Sequence, residues 1–217
     1  MRPLRSAIVG LVLALPVSQA AAAEIAGLGG PSSVPGQIEQ DEEARKAPVP
    51  GVSLPFKDRL QRDYGLSIGA DYQALYQHAT ESPGKKDASG GVFRVYGEWT
   101  PGKRADATDG SLVFKGEHRH RYSSIPPKSL AANAGISGLT AVPFSDAGWL
   151  LTNFYWAQHL AENRFGFAAG IVNVTDYLDV YGLVNPWTEF NNYAFTTSPT
   201  IPAPDQGPGA AMRWPFT

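Results

Sequence analysis

Hydrophobic and polar residues alternate with a period of two from Tyr64 onward. In YGLSIGADYQALYQH (64–78), an apolar row faces a row of mostly polar or small residues, in which Leu75 is the exception. The apolar row comprises Leu66, Ile68, Ala70, Tyr72, Ala74 and Tyr76. A period of two places the rows on opposite faces of a β-strand. The predicted strand is longer than the roughly 5–6 residues usual in globular proteins.

The same alternation recurs in four later segments: VFRVYGEWT (92–100), SLVFKGEHRHRY (111–122), WLLTNFYWAQHL (149–160) and RFGFAAGIVNV (164–174). In the fourth predicted strand, the apolar row is Leu150, Thr152, Phe154, Trp156 and Leu160, and the opposite row is Asn153, Tyr155, Ala157 and His159. YAFTT (193–197) is a candidate sixth strand, and a seventh begins at GPGAAMRW (207–214). Long connections after odd-numbered strands and the short AEN turn (161–163) are typical of outer-membrane proteins.

We therefore predict an all-β fold, an antiparallel transmembrane β-barrel with apolar residues facing lipid and polar residues facing the lumen. Aromatic residues are expected to form a girdle at each end of the strands: Tyr64, Trp99 and Phe165 at one end, and Tyr76, Tyr122 and Trp149 at the other. A soluble β-sandwich also alternates, but its strands are shorter. It remains the alternative fold.

The N-terminus predicts export. Arg2 and Arg5 precede an apolar core from Ala7 to Leu15, and small residues follow Pro16, so residues 1–23 are interpreted as a cleaved signal peptide. Residues 24–63 are interpreted as a flexible leader, with a short helix at Phe56–Asp63. Residues 64–217 would form the partial barrel.

Composition narrows the function classes. The chain contains no cysteine, so an exported domain of this kind would not rely on disulfides. Its formal charge of −2 becomes −4 once Arg2 and Arg5 are removed, which argues against nucleic-acid binding. We predict no enzymatic activity and no cofactor, because the common catalytic motifs are missing from the sequence. A glycosidase-like pair drawn from Asp176, Asp179 and Glu189 remains the catalytic alternative.

The segment GEHRHRY (116–122) carries five polar side chains in succession. If Leu112 and Phe114 face lipid, the opposite face presents Lys115, Glu117, Arg119 and Arg121 to the lumen, where water solvates them. The alternative is a solvated strand face without selectivity. A metal site would use His118 and His120, which share the other face, but zinc usually takes three or four protein ligands.

Aromatic rings suit sugars because the C–H face of a pyranose stacks on a flat ring. Tyr155 in the lumen row, and Tyr177, Tyr181 and Trp187 in the loop after the fifth predicted strand, are candidate platforms. They serve equally well as packing residues between that loop and the inner wall.

Three segments within residues 60–211 stand out: LQRDYGLSIGADYQ, GEHRHRYSS and, above all, NRFGFAAGIVNVTDYLDVYGLVNPWTEFNNYAFTTSPTIPAPDQGPGAA. They resemble the carbohydrate-selective porins of the OprB family. The resemblance implies a passive channel for glucose and other mono- or disaccharides across the bacterial outer membrane, with external loops folded inward and contacts to outer-membrane lipid.

The resemblance also implies a pore-lining role for Glu117, Arg119 and Arg121, which fall in a matching segment. Asp176 to Asp179 match a loop motif of that family, so Asp176 and Asp179 are candidate pore-lining residues without an individual role. The family's barrel has about 16 strands, in the porin size class. Only six or seven are predicted here, so the sequence is expected to be the N-terminal half of a truncated or split porin, or to assemble with copies of itself.

Overall fold

The computed structural model describes residues 8–12, 33–46, 55–101, 110–160, 165–176, 187, 191–192 and 204–213. Its main feature is one antiparallel sheet of seven strands, each paired with its neighbours in chain order. The strands are β1 (Ile8–Val12), β2 (Leu66–Ala79), β3 (Asp87–Trp99), β4 (Gly110–Arg121), β5 (Gly148–Leu160), β6 (Phe165–Val172) and β7 (Gly207–Arg213). The prediction of an antiparallel all-β fold is confirmed. In the described residues the sheet is open, with β1 and β7 as its edges.

The predicted strands all reappear where the structure is described. Five of them correspond to β2–β6 with small changes of boundary, and β7 begins at Gly207 as expected. Pro208 lies within β7, opposite Ile171, at the edge of the sheet, where proline is tolerated. The candidate strand at residues 193–197 and the AEN turn at residues 161–163 lie outside the described residues.

The short helix predicted before β2 is confirmed as α2 (Pro55–Tyr64). Pro55 is its first residue, where a missing N–H is harmless, and Asp58 lies in the first turn, favourably for the helix dipole. Gly65 ends the helix with a φ of 66°, and its N–H donates to the Gln61 carbonyl at 2.9 Å. Gly65 then accepts a hydrogen bond from the Thr100 N–H at 2.8 Å, which ties the start of β2 to the end of β3.

The expectation of a flexible leader is wrong for residues 34–46, which form helix α1 (Val34–Lys46). The helix contacts β2, β3 and β4. Val34 and Ile38 pack against the cluster that contains Tyr96 and Val113, and this burial stabilises a helix whose own apolar stripe is weak. No helix in the described part of the chain is both long and apolar enough to cross a membrane.

Strand β1 falls inside the segment predicted as a signal peptide. It pairs with the second half of β2, with Ile8 opposite Ala79 and Val12 opposite Leu75. Cleavage after residue 23 would remove β1, and β2 would then become an edge of the sheet. The signal peptide itself stays a prediction.

The apolar face of the sheet is exposed and its polar face is covered, which is the reverse of the usual arrangement in a soluble protein. One face carries apolar side chains that remain exposed, including Trp149 at 69% and Trp156 at 37%. Other members of this exposed face are Tyr72, Tyr76, Val95, Trp99, Leu151, Phe154, Leu160 and Met212. The other face carries the polar rows and is covered. It includes Arg94, Lys115 and Glu117, all of which are buried.

Three layers of chain cover the polar face. Helix α1 lies over the half nearest the β2 N-terminus. The β4–β5 connection, which contains the short helix α3 (Leu130–Asn133), buries Leu130 against Ala79 and Ala88 at the opposite end. Between them, Phe144 and Trp187 pack on Leu75 and Val92.

The prediction that Leu150 and Thr152 lie in the outward-facing apolar row of β5 is wrong, because the alternation shifts by one residue at the start of the strand. Gly116 pairs with Leu151, whereas Lys115 pairs with Asn153, so Thr152 is an extra residue in β5. Such a β-bulge switches the face on which the preceding side chains lie. Leu151 is therefore exposed on the apolar face, and Thr152 is buried rather than facing outward.

Candidate functional site

A row of alternating charges crosses three strands on the covered face. Asp71 of β2 pairs with Arg94 of β3, and Arg94 pairs with Glu117 of β4. Directly opposite side chains in an antiparallel sheet lie close enough to interact. The Arg94 Nε donates to Asp71 Oδ1 at 2.7 Å, with the Arg94 side chain only 6% exposed. The strand register alone thus creates a carboxylate–guanidinium–carboxylate row.

Glu117 and Arg119 extend this row along β4. The Arg119 Nε and Nη2 both donate to Glu117 Oε2, at 2.8 and 2.6 Å. Two residues apart, the side chains share one face of the strand. Glu117 is buried and Arg119 is half-buried, so the guanidinium reaches toward solvent while it neutralises the carboxylate.

Lys115 lies on the other side of Glu117 along β4 and meets a loop carboxylate. Its Nζ is 4.0 Å from Asp176 Oδ2, and the same oxygen accepts a hydrogen bond from Asn153 Nδ2 at 2.9 Å. Asn173 Nδ2 donates to the other carboxylate oxygen at 3.1 Å. Burial raises the pKa of Asp176, and the nearby Lys115 charge and the two amide donors oppose that rise.

Arg94 also holds the loop residue Trp187 against the sheet. Its guanidinium carbon lies 4.1 Å from the indole centroid, which is cation–π geometry. Phe144 contacts the same indole, with ring centroids 5.7 Å apart. Trp187 therefore lies between the sheet and the β4–β5 connection, and Arg94 covers one face of its ring.

Tyr155 lies on the predicted face but packs beneath α1. It is 2% exposed, in the cluster with Val34 and Tyr96. The Tyr96 hydroxyl donates to Asp41 Oδ2 on α1 at 3.0 Å, so the helix is fixed by both apolar and polar contacts. Of the two roles considered for Tyr155 and Trp187, the packing role describes their positions in this structure.

The remaining predicted residues lie apart from this cluster. Arg121 is at the end of β4, where its Nε is 3.1 Å from Asp146 Oδ2 and its Nη1 donates to the Ser124 carbonyl at 3.1 Å. It therefore anchors the β4–β5 connection at the rim. Asp179, Tyr177, Tyr181 and Glu189 lie outside the described residues. The structure thus brings together Lys115, Glu117, Arg119, Asp176 and Trp187 on one face, with Tyr155 nearby.

Sequence reasoning missed four participants: Asp71, Arg94, Asn153 and Asn173. The first three belong to the polar rows of β2, β3 and β5, and that position was the available signal. Their partners depend on the register between strands, which the alternation of one strand does not contain. Asn173 follows β6, and its contact with Asp176 depends on how the loop after β6 folds back.

Several buried polar atoms have no hydrogen-bond partner among the described residues. They are Gln37 Oε1, Gln77 Oε1, Arg94 Nη1, Thr140 Oγ1, Asn153 Oδ1 and Asn191 Oδ1. Buried polar groups normally pair with protein or ordered water. Gln77, Arg94 and Asn153 all point from the strands into the covered space, which is thus a polar environment suited to water or a polyhydroxylated ligand.

The described residues contain no group of three or more histidine, cysteine, aspartate or glutamate side chains able to hold a metal ion. His118 and His120 share the apolar face of β4, as predicted, and lie near its C-terminal end.

Comparison of the chain with family models, curated proteins and solved structures gave no match. The resemblance to carbohydrate-selective porins therefore rests on the sequence segments quoted above.

Proposed function

We propose that this chain forms part of the wall of a passive sugar channel in the bacterial outer membrane. The strands would cross the bilayer with the apolar face toward lipid. The covered polar face would line the route taken by mono- or disaccharides.

The observation that carries the proposal is the exposure of the apolar face. Large apolar side chains stay exposed on β2, β3, β5 and β7, while Arg94, Lys115, Glu117 and Asn153 are buried on the opposite face. Monomeric soluble proteins rarely leave a broad apolar surface in water. A lipid-facing sheet has this distribution by necessity.

The ends of the strands support the same orientation. Tyr64 and Trp99 lie together at one end, where Trp99 Nε1 donates to the Tyr64 carbonyl at 3.2 Å. Tyr76, Tyr122 and Trp149 are exposed at the other end. Tyrosine and tryptophan favour the membrane–water interface, since each combines an apolar ring with a polar tip.

The charged cluster suits a sugar route. Asp71, Glu117 and Asp176 balance Arg94, Lys115 and Arg119, so the six groups have a formal net charge of zero. Sugars are neutral and carry many hydroxyls, which match carboxylate acceptors and guanidinium donors. The β4–β5 and β6–β7 connections meet over this face, where Ala141 N–H donates to the Asn191 carbonyl at 2.7 Å, and would narrow the passage.

An open sheet edge is not stable in lipid, because its N–H and C=O groups have no water to bind. Among the described residues β1 and β7 are the edges of the sheet, and in the membrane each would pair with a further strand. We propose that additional strands, supplied by copies of this chain or by further polypeptide, complete the barrel. Loss of a signal peptide would transfer this requirement from β1 to β2.

The direct functional test is osmotic swelling of liposomes that contain the refolded chain. Glucose, a disaccharide and a larger oligosaccharide should give progressively slower swelling, and protein-free liposomes should give none. The oligomeric state of the refolded protein is measured in detergent before it is inserted into liposomes, since a pore built from copies of the chain requires an assembly.

The test variants change charges on the covered face, and the control changes a charge on an exposed surface. Arg94→Gln and Glu117→Gln should change swelling rates, whereas Lys128→Gln, on the exposed surface of the β4–β5 connection, should not. A chain that stays monodisperse in buffer without detergent and causes no swelling would contradict the proposal, and would favour an exported soluble β-protein.

A further inference from the structure

The segment His118-Arg119-His120 presents two imidazoles side by side on the exposed face of β4. The two Nδ1 atoms are 3.2 Å apart, and the ring centroids are 5.2 Å apart. Metal–imidazole bonds are about 2.0–2.1 Å long. Two nitrogens that bind one ion at an angle between 90° and 110° are thus roughly 3 Å apart, the spacing found here.

A second contact orients His120 for ligation. The Tyr72 hydroxyl is 2.8 Å from His120 Nε2, and the two rings stack with centroids 5.8 Å apart. An oxygen that accepts the Nε2 proton leaves Nδ1 with a free lone pair, which is the usual arrangement for a metal-bound histidine.

Gly91 on β3 makes room for this contact. A Cβ atom there would collide with the hydroxyls of both Tyr72 and Tyr122. Tyr122 packs edge-on against His120, with centroids 5.1 Å apart, and Trp149 lies 4.9 Å from the His118 ring. Both imidazoles are therefore held by rings on neighbouring positions, although they remain accessible from outside the sheet.

We propose that His118 and His120 form a two-imidazole site for a divalent transition-metal ion of the Cu²⁺ or Ni²⁺ class at the C-terminal end of β4. Imidazole nitrogens suit these ions. Solvent would complete the coordination, because within the described residues no third histidine or carboxylate joins the pair. The inference does not depend on the proposed channel.

Binding of the metal ion leaves the total number of protons on the two imidazole rings unchanged. In the metal-free pair, one Nδ1–H donates to the other Nδ1 at 3.2 Å. The ion replaces that hydrogen, which moves through solvent to the Nε2 of the same ring, and both imidazoles stay neutral. Ligation by neutral imidazole is the normal state of a metal-bound histidine.

Titration of the refolded chain with CuCl₂ tests the proposal, with protein purified without a polyhistidine tag. Trp149 is the reporter, because bound Cu²⁺ quenches an indole that lies against its ligand. Saturable quenching with one ion per chain is expected, and Trp149→Phe should lose that component while electron paramagnetic resonance still shows two nitrogen ligands.

The variants His118→Gln and His120→Gln should each weaken Cu²⁺ binding by at least about tenfold, since each removes one of the two imidazole ligands. His78→Gln is the matched control, because His78 lies on the same face but bonds Asp87 instead, at 2.8 Å. Each variant is first checked for wild-type strand content. Quenching that does not saturate, or equal affinity in wild type, His118→Gln and His120→Gln, would overturn the proposal.

Discussion

The guanidinium carbon of Arg94 lies 4.1 Å from the centre of the Trp187 ring, while its Nε donates to Asp71 at 2.7 Å. One side chain thus links two strands of the wall to the connection that covers them. Because the Arg94 side chain is only 6% exposed, its charge depends on these partners. Arg94 accordingly couples the sheet to its cover.

Removing Arg94 should destabilise the protein. We expect Arg94→Ala to lower the free energy of unfolding by about 3 kcal/mol, because Asp71 loses its counter-charge in a half-buried position. Arg94→Lys should cost about 1 kcal/mol, since the charge remains but the planar contact with Trp187 is lost. Urea unfolding in detergent measures both.

The control for Arg94 is Arg62→Ala. Arg62 lies on the exposed side of α2 and pairs only loosely with Asp63, at 3.4 Å. Surface pairs of this kind contribute little to stability. A loss at Arg94→Ala as small as that at Arg62→Ala would contradict the assigned role.

The charges on β4 should set ion preference in a conducting channel. Glu117→Gln leaves one excess positive charge in the cluster, and Arg119→Gln leaves one excess negative charge. A unit charge acting across about 8 Å of water changes an ion's energy by roughly 0.5 kcal/mol, or about twofold in permeability ratio. Reversal potentials in a salt gradient should therefore shift toward anions for Glu117→Gln and toward cations for Arg119→Gln.

Lys128→Gln changes the same unit of charge on the exposed surface of the β4–β5 connection. It should leave the reversal potential near the wild-type value. Shifts of the same sign for Glu117→Gln and Arg119→Gln would show that these side chains do not face the conducting route.

Asp176 should make stability depend on pH. Its pKa is raised by burial in the folded chain, so its favourable contribution is complete below the ordinary carboxyl value of 3.8 and is lost as the pH rises through the raised pKa. Relative to Asp176→Asn, the wild-type chain should lose unfolding free energy as the pH increases across that window. Urea unfolding of both proteins from pH 3.5 to pH 8 measures the difference.

Asn173→Ser keeps the Asp176 carboxylate and removes one donor to it. This variant should still lose stability with rising pH relative to Asp176→Asn. A difference between wild type and Asp176→Asn that is flat with pH would show that the carboxylate is not desolvated.

Two glycines on the exposed face offer a test of local packing. A Cβ at Gly97 would lie 2.5 Å from the Phe114 ring and 2.7 Å from the Ser67 carbonyl oxygen, whereas at Gly116 the nearest atom is 3.9 Å away. Gly97→Ala should therefore destabilise the sheet by about 2 kcal/mol. Gly116→Ala should be neutral or slightly stabilising, since alanine restricts the unfolded chain. Equal effects in thermal unfolding would contradict the register of β3 with β4.

Alternation was sufficient to predict β2–β6, because each strand carries an apolar row that must lie on one face. It could not predict the bulge at Thr152, since an inserted residue changes the face of its neighbours while the composition stays the same. Helix α1 was missed for a different reason. Pro35 and Gly36 are typical of a leader, and the helix is stabilised by burial of Val34 and Ile38 rather than by its own sequence pattern.

The candidate site divides in the same way. Lys115, Glu117 and Arg119 were predictable from one strand, since they share a face at a spacing of two. The pairing of Asp71 with Arg94 depends on the register of a hairpin, and the approach of Asp176 and Trp187 depends on how long connections fold back. These are tertiary relationships that local periodicity does not record.

The central claim is that the apolar face meets lipid, and single-cysteine labelling tests it most directly. The chain has no native cysteine, so Phe154→Cys and Trp156→Cys on β5 can each carry one fluorophore, with Glu81→Cys in the β2–β3 connection as the aqueous control. In vesicles, nitroxide lipids should quench the labels at residues 154 and 156 and spare residue 81, while aqueous iodide should do the reverse. Iodide quenching at residues 154 and 156, without quenching by nitroxide lipids, would contradict the account.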